Sequence, residues 1–356
     1  MRLRSNLAFS LVALGSGLLA VMAVVWVMNP ASKPSNPMKP GVNGQHEPAT
    51  QSAGHGIEHR QEGPSPYELT EVDLLRIQGE RGSAAALAEL ERRIKDIPEL
   101  AGMCHALTHA LGHAAIAASG GSVTKALKEG DEVCGNGFTH GVIETALAGS
   151  TDPAGDLLRI CAPAQDGSCF HGVGHGLMFA TGMDVEASLD LCEGAPEPLL
   201  VGRCGEGVFM QLFSADLAAG HSANAELAFQ VPTSGEVAGI CDSIRVHLAG
   251  ACWFYGPTVY LTEHPDDFVG ALRWCRANGS GIETCAKGVG SRAVKFHPDD
   301  LRVGDATCWA AGLLRDACYR GMGSYWSVHW KGDRDPRDVC STLQDGHRQA
   351  CRRAMA

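Results

Sequence analysis

Apolar positions along this chain fall into three regimes. The first is an unbroken apolar run from Leu7 to Met28, preceded by Arg2 and Arg4. At ~1.5 Å per helical residue, a run of this length crosses a bilayer. A signal peptide cleaved near Val21-Met22-Ala23 is the competing reading. Signal-peptide apolar regions usually end after about 7–15 residues, whereas this one continues through Val24-Val25-Trp26-Val27. Residues 1–29 are therefore expected to form a cytoplasmic tip and an uncleaved signal-anchor transmembrane helix. The arginines keep the N-terminus in the cytoplasm, which makes the rest periplasmic or extracellular.

The second regime, residues 30–66, is rich in Pro, Gly, Ser, Gln and His and has no apolar periodicity. Such a composition buries no core and reads as a flexible linker. Its His55/His59 pair reads as solvated side chains. From Pro66 onward the pattern is helical. Leu74, Leu75 and Ile77 begin it, and Ala84–Ile94 is dense in strong helix formers. No Val/Ile/Thr-rich alternation predicts a strand. Short helices are punctuated by Gly and by Asp152-Pro153, Asp266-Asp267 and Asp335-Pro336.

Cysteine positions show how these helices are held. All 14 cysteines follow residue 100, and twelve form close couples: Cys161/Cys169, Cys192/Cys204, Cys241/Cys252, Cys275/Cys285, Cys308/Cys318 and Cys340/Cys351. Each couple joins the end of one predicted helix to the start of the next, and Cys104 and Cys134 are left to each other. An even count outside the cytoplasm predicts disulfides, and the lack of a CxxC pair argues against structural zinc. Closing loops of this size stabilises each hairpin by about 2–3 kcal/mol.

The helices also repeat. His109-Ala-Leu-Gly-His113 recurs as His140-Gly-Val-Ile-Glu144, His171-Gly-Val-Gly-His175 and Glu206-Gly-Val-Phe-Met210, at intervals of 31, 31 and 35 residues. Gly120 and Val123 follow His109 at the offsets at which Gly182 and Val185 follow His171. Cys252, Cys285, Cys318 and Cys351 are 33 residues apart, as are His264-Pro-Asp-Asp and His297-Pro-Asp-Asp. Such periods mark a helical array. The expected fold is all-α, an alpha-hairpin repeat solenoid stapled by disulfides. His-rich repeats are expected over 67–215 and Cys-stapled repeats over 216–356. His264, His297 and His329 are expected at helix C-termini, where a cation suits the dipole.

Cys161-x7-Cys169 followed by Gly172 and Gly174, with the later Cys/Gly couples, loosely resembles the Sel1-like repeats and the Helicobacter cysteine-rich proteins, over about residues 160–356. Uneven repeat lengths, longer Cys–Cys gaps and the His pairs depart from that family. The resemblance implies the solenoid fold and an interaction scaffold as the alternative function.

Candidate chemistry lies in the His repeats. Residues four apart share one helix face, about 40° apart around the axis. His105, His109, His113, His140, Glu144, His171, His175 and Glu206 therefore form a ligand-bearing face on consecutive repeats. Imidazole pairs at this spacing hold zinc in helical sites, and a carboxylate adds an oxygen donor of the sort iron and manganese accept. The expected cofactor is a transition metal ion: Zn, Cu, Fe or Mn. Helices about 8–10 Å apart allow neighbours to share an ion, giving two adjacent sites or one site with outer histidines in support. Helical-repeat iron oxygenases of the deoxyhypusine hydroxylase type offer an analogy for His-Glu pairs on repeat helices. Two readings compete: a structural ladder in which each imidazole bonds a backbone carbonyl, and a metal-free proton or pH-sensing role. Met210 reads as core.

Gly172, Gly174 and Gly176 each cost a helix about 1 kcal/mol relative to Ala, which close approach of helix backbones would offset. The residue two after the second cysteine of each couple runs His171, Glu206, Phe254, Lys287, Arg320, Arg353, from ligand-like to basic. If that column lines a groove, it steers an anionic ligand or a protein partner; a solvated basic face is the plainer reading. The net charge of −11 argues against nucleic acid. HExxH, Walker A, GxSxG and haem CxxCH motifs are absent. The function expected is metal binding through the N-terminal repeats of a membrane-anchored extracytoplasmic protein, extending to metal-dependent catalysis.

Overall fold

The computed structural model describes residues 66–97, 99–131, 133–162, 167–213, 231–329 and 335–356. The expected transmembrane helix, the linker through residue 65 with His55 and His59, and the boundary between 215 and 216 lie outside these ranges. Among the described residues there is no strand, and no helix is long and apolar enough to cross a membrane.

Two antiparallel helices, α1 (Pro66–Arg81) and α2 (Ser83–Asp96), pack on α3 (Glu99–Ala118). Hairpins follow, each pairing an outer helix with an inner one: α4 (Val123–Leu127) with α5 (Gly137–Ala148), α6 (Pro153–Cys161) with α7 (Gly167–Ala180), and α8 (Val185–Cys192) with α9 (Pro198–Phe213). Beyond residue 230 the pairs are α10 (Ser234–Ser243) with α11 (Val246–Tyr255), α13 (Phe268–Asn278) with α14 (Ile282–Phe296), and α15 (Leu301–Ala310) with α16 (Arg315–His329). The short α12 (Pro257–Glu263) packs beside α14, and α17 (Asp345–Ala354) covers α16. The punctuation read from the sequence caps the outer helices. Asp152, Asp184, Asp267 and Asp300 each accept a backbone N–H from the first turn of α6, α8, α13 and α15.

All 14 cysteines are paired in seven disulfides, with Cα separations of 5.2–5.7 Å. Six staple an outer helix, or the short 3-10 helix Pro336–Thr342, to the helix after it. Cys104–Cys134 differs, tying α3 to the turn that enters α5. That turn is unusual, since Cys134, Gly135 and Asn136 all have positive φ, at 59°, 67° and 61°. Left-handed backbone at non-glycine residues costs about 1–3 kcal/mol each and persists where the surroundings enforce it.

The inner helices α3, α5, α7, α9, α11, α14 and α16 form one curved row, each packed on the next. The intrahelical glycines make this possible. A Cβ on Gly112 would overlap the carbonyl of Phe138, and one on Gly141 that of His109. Gly174 and Gly207 meet Cys204 and His171 in the same reciprocal way, as Gly290 and Gly321 meet Cys318 and Lys287. The expected close approach of helix backbones thus occurs in α3/α5, α7/α9 and α14/α16. The row curls until α14 approaches α3: Gly102 near the start of α3 lies against the carbonyl of Lys295 at the end of α14, 3.6 Å from where its Cβ would stand. His264 and His297 cap the C-termini of α12 and α14, and His329 ends α16.

Candidate metal centre

Because α3, α5 and α7 cross at glycines, their backbones approach closely and side chains one turn from each crossing converge. His105, His109 and His113 come from α3, His140 and Glu144 from α5, and His171 and His175 from α7. The five rings of His105, His109, His140, His171 and His175 cluster, with neighbouring centroids 4.7–5.5 Å apart. Three groups bring their ligand atoms within 4.8 Å of one another: His105/His109/His140, His140/His171/His175 and His109/His113/Glu144. His140 is common to the first two.

The outer nitrogens fix the tautomers. His105 Nδ1 donates to the Cys134 carbonyl (2.7 Å), His109 Nδ1 to Glu144 Oε2 (3.2 Å), and His175 Nδ1 to Gln211 Oε1 (2.9 Å) with Glu144 Oε1 at 3.4 Å. In a neutral imidazole the other nitrogen then carries a lone pair. Those of His105 and His109 face one another, with the Nε2 atoms 3.1 Å apart, and Nε2 of His171 and His175 stand 3.2 Å apart. Two nitrogens bound at ~2.0–2.1 Å to one ion at a right or tetrahedral angle stand about 2.9–3.4 Å apart. The observed gaps match that spacing.

A second proton on these rings would be costly. Burial, reinforced by neighbouring imidazoles, pushes His105, His140 and His171 well below the ordinary imidazole value, and burial pushes His175 down to about 4. At neutral pH these rings are uncharged donors. His140 Nδ1 is buried and has no hydrogen-bond partner among the described residues. Glu144 is equally buried. Burial raises its carboxyl, but His109 and His113, the latter at 2.5 Å, outweigh this and hold it well below the carboxylate range. One carboxylate thus accepts from His109 Nδ1 and His113 Nε2 of α3 and lies 3.4 Å from His175 Nδ1 of α7, as carboxylates behind metal-bound imidazoles do.

Of the residues read from the sequence, the structure gathers His105, His109, His140, His171 and His175, with Glu144 and His113 behind them. Glu206 stands apart, paired with Arg203 at 2.7 Å. Met210 is buried, but its Sδ lies 3.4 Å from His171 Nε2. Gln211, which holds His175, was not singled out, although it adjoins Met210 in the last repeat.

His105, His140 and His171 of the cluster line a cavity of about 540 Å³. His171, Glu206, Phe254 and Lys287 of the basic-going column line it, while Arg320 and Arg353 are exposed elsewhere. Tyr255, Arg292 and Lys295 also line it and were not foreseen. The signal was present in Lys287, Ser291 and Lys295, spaced as one helix face. Fold and site define a disulfide-stapled helical-repeat protein with buried His/Glu groups able to hold a metal ion. No protein-family model, curated protein or solved structure matches the chain.

Proposed function

We propose that the protein is an extracytoplasmic metalloprotein, anchored by residues 7–28, that holds a transition metal on the imidazoles of α3, α5 and α7. The observation that carries the reading is the opposed Nε2 atoms of His105 and His109, each ring with its Nδ1–H bonded on the far side. In the two groups that share His140 the donor set is all imidazole. That favours Zn, Cu or Fe over Mn. Seven disulfides suit an oxidising compartment. Histidines lining the cavity leave room for a non-protein ligand, as catalytic metal sites do, and favour a metal-dependent enzyme.

A Sel1-like interaction scaffold with structural histidines calls for rings that each bond a backbone carbonyl. Among the described residues only His105 of the five does so. Elemental analysis of the purified, oxidised chain tests the proposal. Near-stoichiometric Zn, Cu or Fe, lost in His109→Ala/His175→Ala while the disulfides still form, supports it. A chain that takes up none of the three when refolded in their presence refutes it.

A further inference from the structure

The cavity that the histidines line is also lined by α14. Lys287, Ser291 and Lys295 share one helix face with Arg292 beside them, and all four line the cavity. Arg292 and Lys295 are buried, which is rare for cationic side chains. The Arg292 guanidinium is fixed in place. Its Nε donates to Thr258 Oγ1 at 2.9 Å, and it lies 4.9 and 4.5 Å from the ring centroids of Phe254 and Tyr255. Lys287 Nζ sits 5.5 Å from the Phe254 centroid. Lys295 lines the cavity together with His105, and its backbone carbonyl lies 3.6 Å from where a Cβ on Gly102 of α3 would stand.

Among the described residues Arg203 adds a fourth cation to the lining, against which Glu206 is the one carboxylate, and it is paired with Arg203. A dication on the histidines would raise the positive charge further. A concave, partly desolvated space with this balance concentrates anions, and its volume suits a small molecule rather than a polymer.

We propose that the cavity binds a small, multiply charged oxyanion, with oxygens held by Arg292, Lys295 and Lys287 and one oxygen directed at the metal centre. The basic wall stands on its own, and the orientation of the last oxygen rests on the metal reading above. Phosphate and dicarboxylate share this chemistry, so inorganic phosphate and malonate are the two probes.

The test is calorimetric titration of the full, oxidised chain with each probe, metal-free and after loading with Co(II), whose visible absorption reports ligands entering its coordination sphere. Saturable binding of either probe at one per chain is expected, and the tighter probe identifies the class. Lys295→Met and Lys287→Gln, the second at a half-buried position that tolerates substitution, should each weaken binding about tenfold or more. Anion binding should also shift the cobalt bands. Cobalt uptake with no binding of either probe, or with binding indifferent to both lysine variants, overturns the oxyanion site and leaves the metal reading intact. Lysine-dependent binding to a chain that takes up no cobalt keeps the basic site and overturns its metal-facing half.

Discussion

Replacing Glu144 by Gln separates the metal centre from the fold that carries it. Oε2 of Glu144 takes the hydrogens of His109 Nδ1 and His113 Nε2, and Oε1 faces His175 Nδ1 at 3.4 Å. Glutamine keeps the shape but turns one acceptor into an NH2 donor. If its oxygen takes the Oε2 position, the NH2 meets the Nδ1–H of His175. That clash is relieved when the proton moves to Nε2, which removes the lone pair a metal needs. If the amide flips, the contacts to His109 and His113 are lost instead. Either way one ligand is misprotonated or misoriented, and a full negative charge beside the cation disappears. Losing an outer partner of this kind costs about 10–100-fold in affinity, or roughly 1.4–2.7 kcal/mol, and the lost charge argues for the upper end. The metal-free fold should lose little, because an ionised buried carboxylate is itself costly and the amide relieves that cost. Chelator-competition titration with Zn(II) should therefore show affinity down ~100-fold, while the metal-free urea midpoint barely moves. Unchanged affinity, or a collapse of the metal-free fold, refutes the reasoning and makes Glu144 a structural brace.

Three further outcomes follow from the same geometry. Gly207→Ala should destabilise by about 1–3 kcal/mol or more, since its Cβ would overlap the His171 carbonyl, whereas Gly202→Ala, with nothing within 4 Å, should gain up to ~1 kcal/mol from helix propensity; equal effects in thermal melts would refute the crossing. The metal-free chain should lose stability as pH falls from about 6.5 towards 4. The unfolded state takes up protons near the ordinary imidazole value, while the folded state refuses them until about 4 at His175; a flat urea midpoint between pH 7.5 and 5 would refute neutral burial. Removing Cys104–Cys134 as a double serine variant should cost roughly 3–4 kcal/mol by loop entropy and also weaken metal binding, because Cys134 supplies the carbonyl that orients His105. The same change at Cys340–Cys351 should lower stability alone, and equal metal affinities in the two variants would show that the first disulfide does not serve the site.

The architecture was legible because its determinants are local. Asp caps, cysteine spacing and helical periodicity each act within one hairpin, so seven disulfides and the order of helices could be read without a structure. Intrahelical glycines also announced close packing, because only backbone contact offsets their cost. What could not be read depends on how the row of hairpins curls. The approach of α14 to α3 sets Arg292 and Lys295 in one cavity with histidines up to about 190 residues away, and no local pattern encodes that closure. Glu206 carried the right spacing for a ligand, yet Arg203 one turn before it offered a nearer partner.

The backbones keep the repeat that aligns His109 with His171, since Gly141 meets the carbonyl of the first as Gly207 meets that of the second, while the facing imidazoles lie one helical turn off that alignment. Matching His109/His113 with His171/His175 aligns the ends of α3 and α7. Gly120 and Gly182, with φ of 65° and 68°, terminate those helices at corresponding points. The chemistry aligns differently. The imidazoles that face each other are His105 with His109 and His171 with His175, 66 residues apart in each case. At the same offset His140 corresponds to Glu206 and Glu144 to Met210. Three histidines four residues apart on α3 satisfied both alignments, so spacing alone did not choose. The α3/α5 and α7/α9 pairs therefore share a facing-histidine plan but differ in its support. The first pair has a carboxylate behind its imidazoles and the second has Gln211 and a thioether. Glu144 reaches across to His175, so the second pair borrows its negative charge from the first. Metal affinity on the α7 side should accordingly depend on α5, and that dependence is what makes the two halves one centre.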